Sequence, residues 1–297
     1  MRHITIIGSR INIYFLKQAD MTDSQHGLLT GALLGDALAL GAHWIYDTDE
    51  IQKIFGDFDG FTDPAKNPYH KTKKLWDFTH YGDQMMILIS SIGEQWGYNP
   101  VAYLESWKET MKSYTGYMDH ATKTTLEKGT GSDSFDGSAI GRIAPLLTTD
   151  VPTSDEHIAE FIGFTHNHET VKAGAIFIAH VIRAIQSGKT PTEALRETTS
   201  DSADILRFRD DGMATISEDT TTVIKKLGQS CGIDGVFQGA IHCIIKYEWD
   251  FQMALLSNTK AGWDSAARGM IIGMVLGASL GYGWLPADWL TTMNAKV

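Results

Sequence analysis

The stretch Ala261-Gly262-Trp263-Asp264-Ser265-Ala266-Ala267-Arg268-Gly269 runs straight into an apolar, glycine-studded segment, Met270 to Tyr282. It predicts a buried helix over 264–282 whose mouth carries a carboxylate and a hydroxyl, a place where packing has no use for a charge. Gly273, Gly277, Ala278 and Gly281 suit the close approach of another helix. Met270–Leu280 is shorter than the roughly 20 apolar residues that cross a bilayer, so no membrane span is expected.

Outward from this helix, apolar residues recur at helical spacing almost everywhere and sustained period-two alternation is nearly absent. Helices are predicted over 24–41, 83–96, 100–115, 120–128, 134–147, 155–165, 169–187, 191–199, 217–228, 234–246, 250–258 and 264–282. The fold class is therefore all-α. Ser154 before Asp155 and Glu156, Thr190 before Pro191, and Asn99 before Pro100 each mark a helix start. The irregular stretch Gly56 to His80, rich in Asp, Lys, Pro and aromatics, reads as a substrate-facing loop or a mobile excursion.

With 297 residues and 43% hydrophobic content the chain can bury a large core, and no linker divides it. A net charge of −11 argues against nucleic acid and anionic membranes as partners. Cys231 and Cys243 form no CxxC pair and read as incidental thiols in a reducing cytoplasm. Residues 1–20 lack a clear signal-peptide pattern and precede Met21 and a strong helix. They read as an N-terminal extension outside the core, leaving 21–297 as one domain.

Four segments set carboxylates or histidines among small residues. Asp36 lies between Leu34 and Leu38, where it either binds a ligand or accepts backbone N–H bonds to hold a loop. Asp83 follows His80-Tyr81-Gly82, Asp264 is followed by Ser265, and both acids read as caps or as oxygen donors to Mg²⁺. Gly131-Ser132-Asp133-Ser134 leads to Arg142. Thr165-His166-Asn167-His168 reads as a simple helix termination, or as a helix end whose negative pole a protonated imidazole would meet.

In order and spacing these blocks resemble the ADP-ribosylglycohydrolase family. The segments Gly41-Ala42-His43-Trp44-Ile45-Tyr46-Asp47, Tyr81-Gly82-Asp83-Gln84 and Ala261 to Gly269 are most similar to its jellyfish-crystallin-like branch. The likeness spans most of residues 24–285. It implies a single-domain orthogonal helical bundle in which active members hold two Mg²⁺ ions and hydrolyse the glycosidic bond of ADP-ribose on a protein or small molecule.

Carried over residue by residue, the resemblance assigns Asp83, Asp264 and Ser265 to metal. Asp36 and His43 fall near the scissile bond as orienter and acid/base. Tyr81, Gln84, Ser132, His166 and Trp263 fall to an ADP-ribose-like ligand or an ADP-ribosylated protein. Three departures stand out. Gln84 replaces a ligand carboxylate, Gly262 replaces another, and His43 stands where many active members carry glutamate. At an effective dielectric near 20, like charges about 4 Å apart repel by roughly 4 kcal/mol per unit product. Two carboxylates do not offset two dications at that range, so one weakly held Mg²⁺ or none is expected. Two readings follow: a hydrolase, with an eroded metal site, of the glycosidic bond of ADP-ribosylated protein or a related nucleotide-sugar ligand, or a catalytically inactive crystallin-like binding or structural protein.

Overall fold

The computed structural model describes residues 21–149, 153–228 and 230–294; the extension expected over residues 1–20 lies outside them. The helices are α1 (Asp23–Ala39), α2 (Thr48–Phe55), α3 (His80–Gln95), α4 (Pro100–Lys112), α5 (His120–Lys128), α6 (Asp155–Gly163), α7 (Glu169–Gln186), α8 (Pro191–Glu197), α9 (Ala203–Ala214), α10 (Thr220–Leu227), α11 (Ile233–Lys246), α12 (Phe251–Lys260), α13 (Ser265–Leu280) and α14 (Ala287–Asn294). Among the described residues β-pairing is limited to two isolated bridges, Ser132 with His166 and Asp136 with Gly232. The all-α, single-domain expectation holds.

The centre of the bundle is the antiparallel pair α1 and α13. Both are buried on every side along most of their length. Three glycines of each helix, spaced four apart, face one another. A methyl group on Gly31 would lie 2.1 Å from the carbonyl oxygen of Gly273, and one on Gly273 would lie 1.9 Å from that of Gly31. Gly27 with Gly277 and Gly35 with Gly269 repeat the arrangement, with approaches of 2.0–2.5 Å. No side chain fits there, so the backbones touch and Cα–H groups face carbonyls. The small residues of α13 are legible in the sequence as a close-packing face, and Gly31 and Gly35 as small residues of an apolar helix, but their pairing, with Gly27, across roughly 240 residues is not. α3, α7, α11, α12 and the 3-10 segment Gly137–Thr148 pack around this pair.

Several starts follow their sequence signals. Asn99 Oδ1 accepts from the amides of Val101 and Ala102 at 3.1 Å, Ser154 caps α6, and Thr190 forms a capping box with Glu193. Other expectations are corrected. The segment expected as a helix over 134–147 is instead a 3-10 segment that begins only at Gly137 and contains Pro145, which has no N–H to donate. α2, α9 and α14 were not anticipated. α2 buries only Ile51, and α9 places Gly212 against the Gln238 carbonyl, where a methyl would come within 2.6 Å. The 56–80 stretch is not an excursion: Asn67 is fully buried and donates to the carbonyls of Gly41 and His43 at 2.9 and 2.8 Å.

Candidate functional site

The site lies where α1 ends, α3 begins and α13 begins. After α1 the chain turns at His43-Trp44, and before α13 it turns at Gly262-Trp263. The two turns pair through their backbones: the Trp44 N–H donates to Trp263 O at 2.8 Å, and the Trp263 N–H to Ile45 O at 3.0 Å. Both tryptophans have positive φ, 64° and 67°. A bulky side chain in that region is strained, and the pairing holds it there. Gly262 has φ 75°, and a Cβ on it would lie 2.6 Å from the Ile45 oxygen.

Asp264 caps α13, with Oδ1 accepting from the Ala267 amide at 3.3 Å and Oδ2 facing the Tyr81 hydroxyl at 3.4 Å. Burial pushes its carboxyl up to about 6, although the Cys231 thiol and the Arg268 guanidinium favour the anion. Arg268 is itself buried and donates from Nε to Asn258 Oδ1 at 2.8 Å and from Nη2 to the Gly262 carbonyl. It locks the Gly262 turn from below. Ser265 is buried and its Oγ has no hydrogen-bond partner.

His43 stands beside Asp264, Nδ1 to Oδ1 3.7 Å, and its Nδ1 accepts from the Ala266 amide at 3.3 Å. Burial, then the neighbouring His70 and His80, hold it well below the usual imidazole range. The ring is neutral, with Nε2 unpaired. Asp36 is fully buried at the end of α1. Its oxygens accept from the Thr79 amide at 2.7 Å and the Thr79 hydroxyl at 2.5 Å, which ties α1 to the cap of α3. Burial pushes it up to about 7.

Asp83 is not among the ligand atoms gathered around Asp264. Its Oδ2 accepts from the Lys73 ammonium and, at 2.6 Å, from the Tyr114 hydroxyl. Nor does it cap α3; Thr79 does. Gln84 is enclosed. Its Oε1 accepts from Trp107 Nε1 at 2.8 Å and from Arg142, and its Nε2 donates to the His80 carbonyl at 3.0 Å. Ser132 pairs by backbone with Thr165 and Asn167 at 2.9 and 2.6 Å. His166 is not a protonated helix-end imidazole. It is buried, pushed down to about 3 by that burial, and its Nδ1 lies 2.9 Å from Thr165 Oγ1. Trp263 is half-buried against Tyr46, ring centroids 4.2 Å apart.

Three participants escaped sequence reading: Asp119, Asp136 and Cys231. His80 Nε2 lies 2.9 Å from Asp119 Oδ2 in a buried pair. Burial alone would raise Asp119, yet the hydrogen bond and charge of His80 bring it below the usual carboxylate range. Asp136 and Cys231, with Asp264, place ligand atoms within 4.8 Å of one another. Asp136 is an Asx cap directly before Gly137, a signal that a helix drawn from 134 conceals. Cys231 carried no sequence signal.

The sequence profile described as ADP-ribosylglycohydrolase matches residues 17–296. The chain belongs to the ADP-ribosylglycohydrolase family. Two relatives from Tripedalia cystophora are similar along nearly their whole length. Crystallin J1A is 23% identical, with 91% of each chain covered, and Crystallin J1B is 21% identical, with 93% of this chain and 94% of its own covered. A solved structure described as an ADP-ribosylglycohydrolase-related protein complex shares the fold, with TM-score 0.69, 18% identity and coverage of 92% and 95%.

The two Mg²⁺ ions that the family implies do not fit these residues. Magnesium needs near-octahedral oxygens. Here Asp83 is held by an ammonium and a phenol, Gln84 is used up inside the core, Gly262 has no side chain, and the group nearest Asp264 and Asp136 includes a thiol.

Proposed function

We propose that this chain is a catalytically silent member of the family, a crystallin-like binding or structural protein of the cytoplasm that keeps the fold and has lost two-metal glycoside hydrolysis. The observation that carries this reading is Lys73. Its ammonium sits on Asp83, the acid that the family resemblance assigns to metal, with only 14% of the lysine side chain exposed. A partly buried ammonium beside that carboxylate neutralises its single negative charge and occupies the place a metal ion would take. Trp44 packs against His70 and Tyr117 and Trp263 against Tyr46, and Asp36, Asp264 and Gln84 serve as anchors of helix ends and of the core.

Release assays on ADP-ribosylated arginine and serine test it, run in Mg²⁺ and in chelator. No turnover is expected under either condition, and no Mg²⁺ binding by calorimetry. Mg²⁺-dependent release that Asp264→Asn abolishes would overturn the proposal in favour of a hydrolase that uses Asp36 and His43. Calorimetry with ADP-ribose separately reports whether a ligand of that chemistry still enters beside Tyr81 and Trp263.

A further inference from the structure

Asp136, Cys231 and Asp264 come from three element starts. Asp136 caps the 3-10 segment, Cys231 sits just ahead of α11, and Asp264 caps α13. The sulfur is brought beside the first carboxylate by backbone pairing: the Gly137 N–H donates to Cys231 O at 2.9 Å, and the Ile233 N–H to Phe135 O at 2.8 Å. The second carboxylate is fixed by the α13 start and the Arg268 lock. Three ligand atoms within 4.8 Å are therefore set by rigid backbone and not by long, mobile side chains.

A second observation is independent of the three. The indole N–H of Trp44, a residue only 6% exposed, faces the Cys231 sulfur and closes no hydrogen bond of ordinary geometry. Burial, with Asp264 and Asp136 beside it, pushes the Cys231 thiol up, so the group keeps its proton until a metal displaces it, and outer donors such as this indole orient metal-bound ligands.

We propose that Asp136, Cys231 and Asp264 form a binding site for one divalent ion of the Zn²⁺ class, with a fourth position open to solvent. A thiolate with two carboxylates is a borderline-soft donor set that suits Zn²⁺ and not Mg²⁺. Zn–S near 2.3 Å and Zn–O near 2.0–2.2 Å put tetrahedral ligands about 3.5 Å apart, within reach of side-chain rotation from the observed positions. As the Sγ–metal bond forms, the thiol proton leaves to solvent and no electron moves. Asp136 and Cys231 are only partly buried while Asp264 is buried, so the ion enters from the outer side onto a closed floor. Once bound, it ties three element starts together. The site stands whether or not the chain hydrolyses a glycosidic bond, because its readout is the metal itself.

The full chain, stripped of metal, is titrated with Co²⁺ and followed by absorption. A thiolate-to-cobalt charge-transfer band in the near ultraviolet is expected, with visible bands of four-coordinate cobalt, saturating at one ion per chain and displaced by Zn²⁺ but not by excess Mg²⁺. Cys231→Ser should abolish the ultraviolet band, and Cys243→Ser should leave it. Asp136→Asn should weaken Zn²⁺ binding by more than the roughly tenfold lower bound that loss of an outer partner costs. Absence of the band, or its survival in Cys231→Ser, overturns the site. Should Cys231→Ser fail to fold, an unchanged Zn²⁺ affinity in Asp136→Asn overturns it equally.

Discussion

Gly262 shows how a single backbone position governs what this site can become. A carboxylate introduced there would require φ 75° of a residue with a Cβ and would press that Cβ to 2.6 Å from the Ile45 oxygen. Gly262→Asp should therefore cost on the order of 1–3 kcal/mol of stability without raising Mg²⁺ affinity. Urea unfolding beside calorimetry checks both halves, and a stable variant with tighter Mg²⁺ binding would contradict the account. Asp36 makes a pH-dependent prediction. Its folded carboxyl, near 7, holds a proton that the unfolded one, near 3.8, has already lost, so its contribution falls as pH rises between those values. The stability of the wild type minus that of Asp36→Asn should thus decline from pH 4.5 to 7.5, as read by urea midpoints. An increasing difference would mean that the anion is the favoured state. In the sequence Asp36 stood between ligand and loop anchor, and nothing local could decide. Its partner Thr79 lies 43 residues away, and distance in sequence hides such pairs.

At the scale of elements, the facing glycines of α1 and α13 bear the heaviest constraint. Gly31→Ala or Gly273→Ala places a methyl about 2 Å from a backbone carbonyl that cannot rotate away, and each should cost more than about 2 kcal/mol by overpacking. Gly60→Ala, whose methyl meets nothing nearer than 3.9 Å, is the matched control and should be nearly neutral in thermal or urea unfolding. Helices with long apolar periodicity and Asx or Thr-Pro starts were legible in the sequence, because their signals sit within one turn of the boundary. α2 was not legible, since it buries only Ile51 and lies in a segment otherwise built of loop residues. The metal-capable group was illegible for a different reason. Asp136, Cys231 and Asp264 belong to segments far apart in the chain, and only the packing of α11 and α13 against the 3-10 segment brings them together.

At the scale of the whole molecule, four histidines are held low by burial: His43 well below the usual range, His70 and His166 near 3, and His242 near 4. In the unfolded chain these groups take up protons near 6.5, whereas the folded chain resists until lower pH. Their contribution is fully present above about 6.5 and is lost as pH falls toward 4, opposing that of Asp36. Asp36→Asn should accordingly lose stability on acidification more steeply than the wild type, measured by thermal melts at stepped pH. A wild type that grows steadily more stable down to pH 4 would mean that the carboxylates outweigh the histidines. The pairing of α1 with α13 has a further consequence, in time. Gly31 and Gly273 stand roughly 240 residues apart, so α1 leaves the ribosome long before its partner exists. At roughly 5–20 residues per second the wait is on the order of 10–50 s. Throughout it, a helix with no polar face needs temporary cover, so the central pair closes as a late event of synthesis and the nascent chain is a natural client for chaperones.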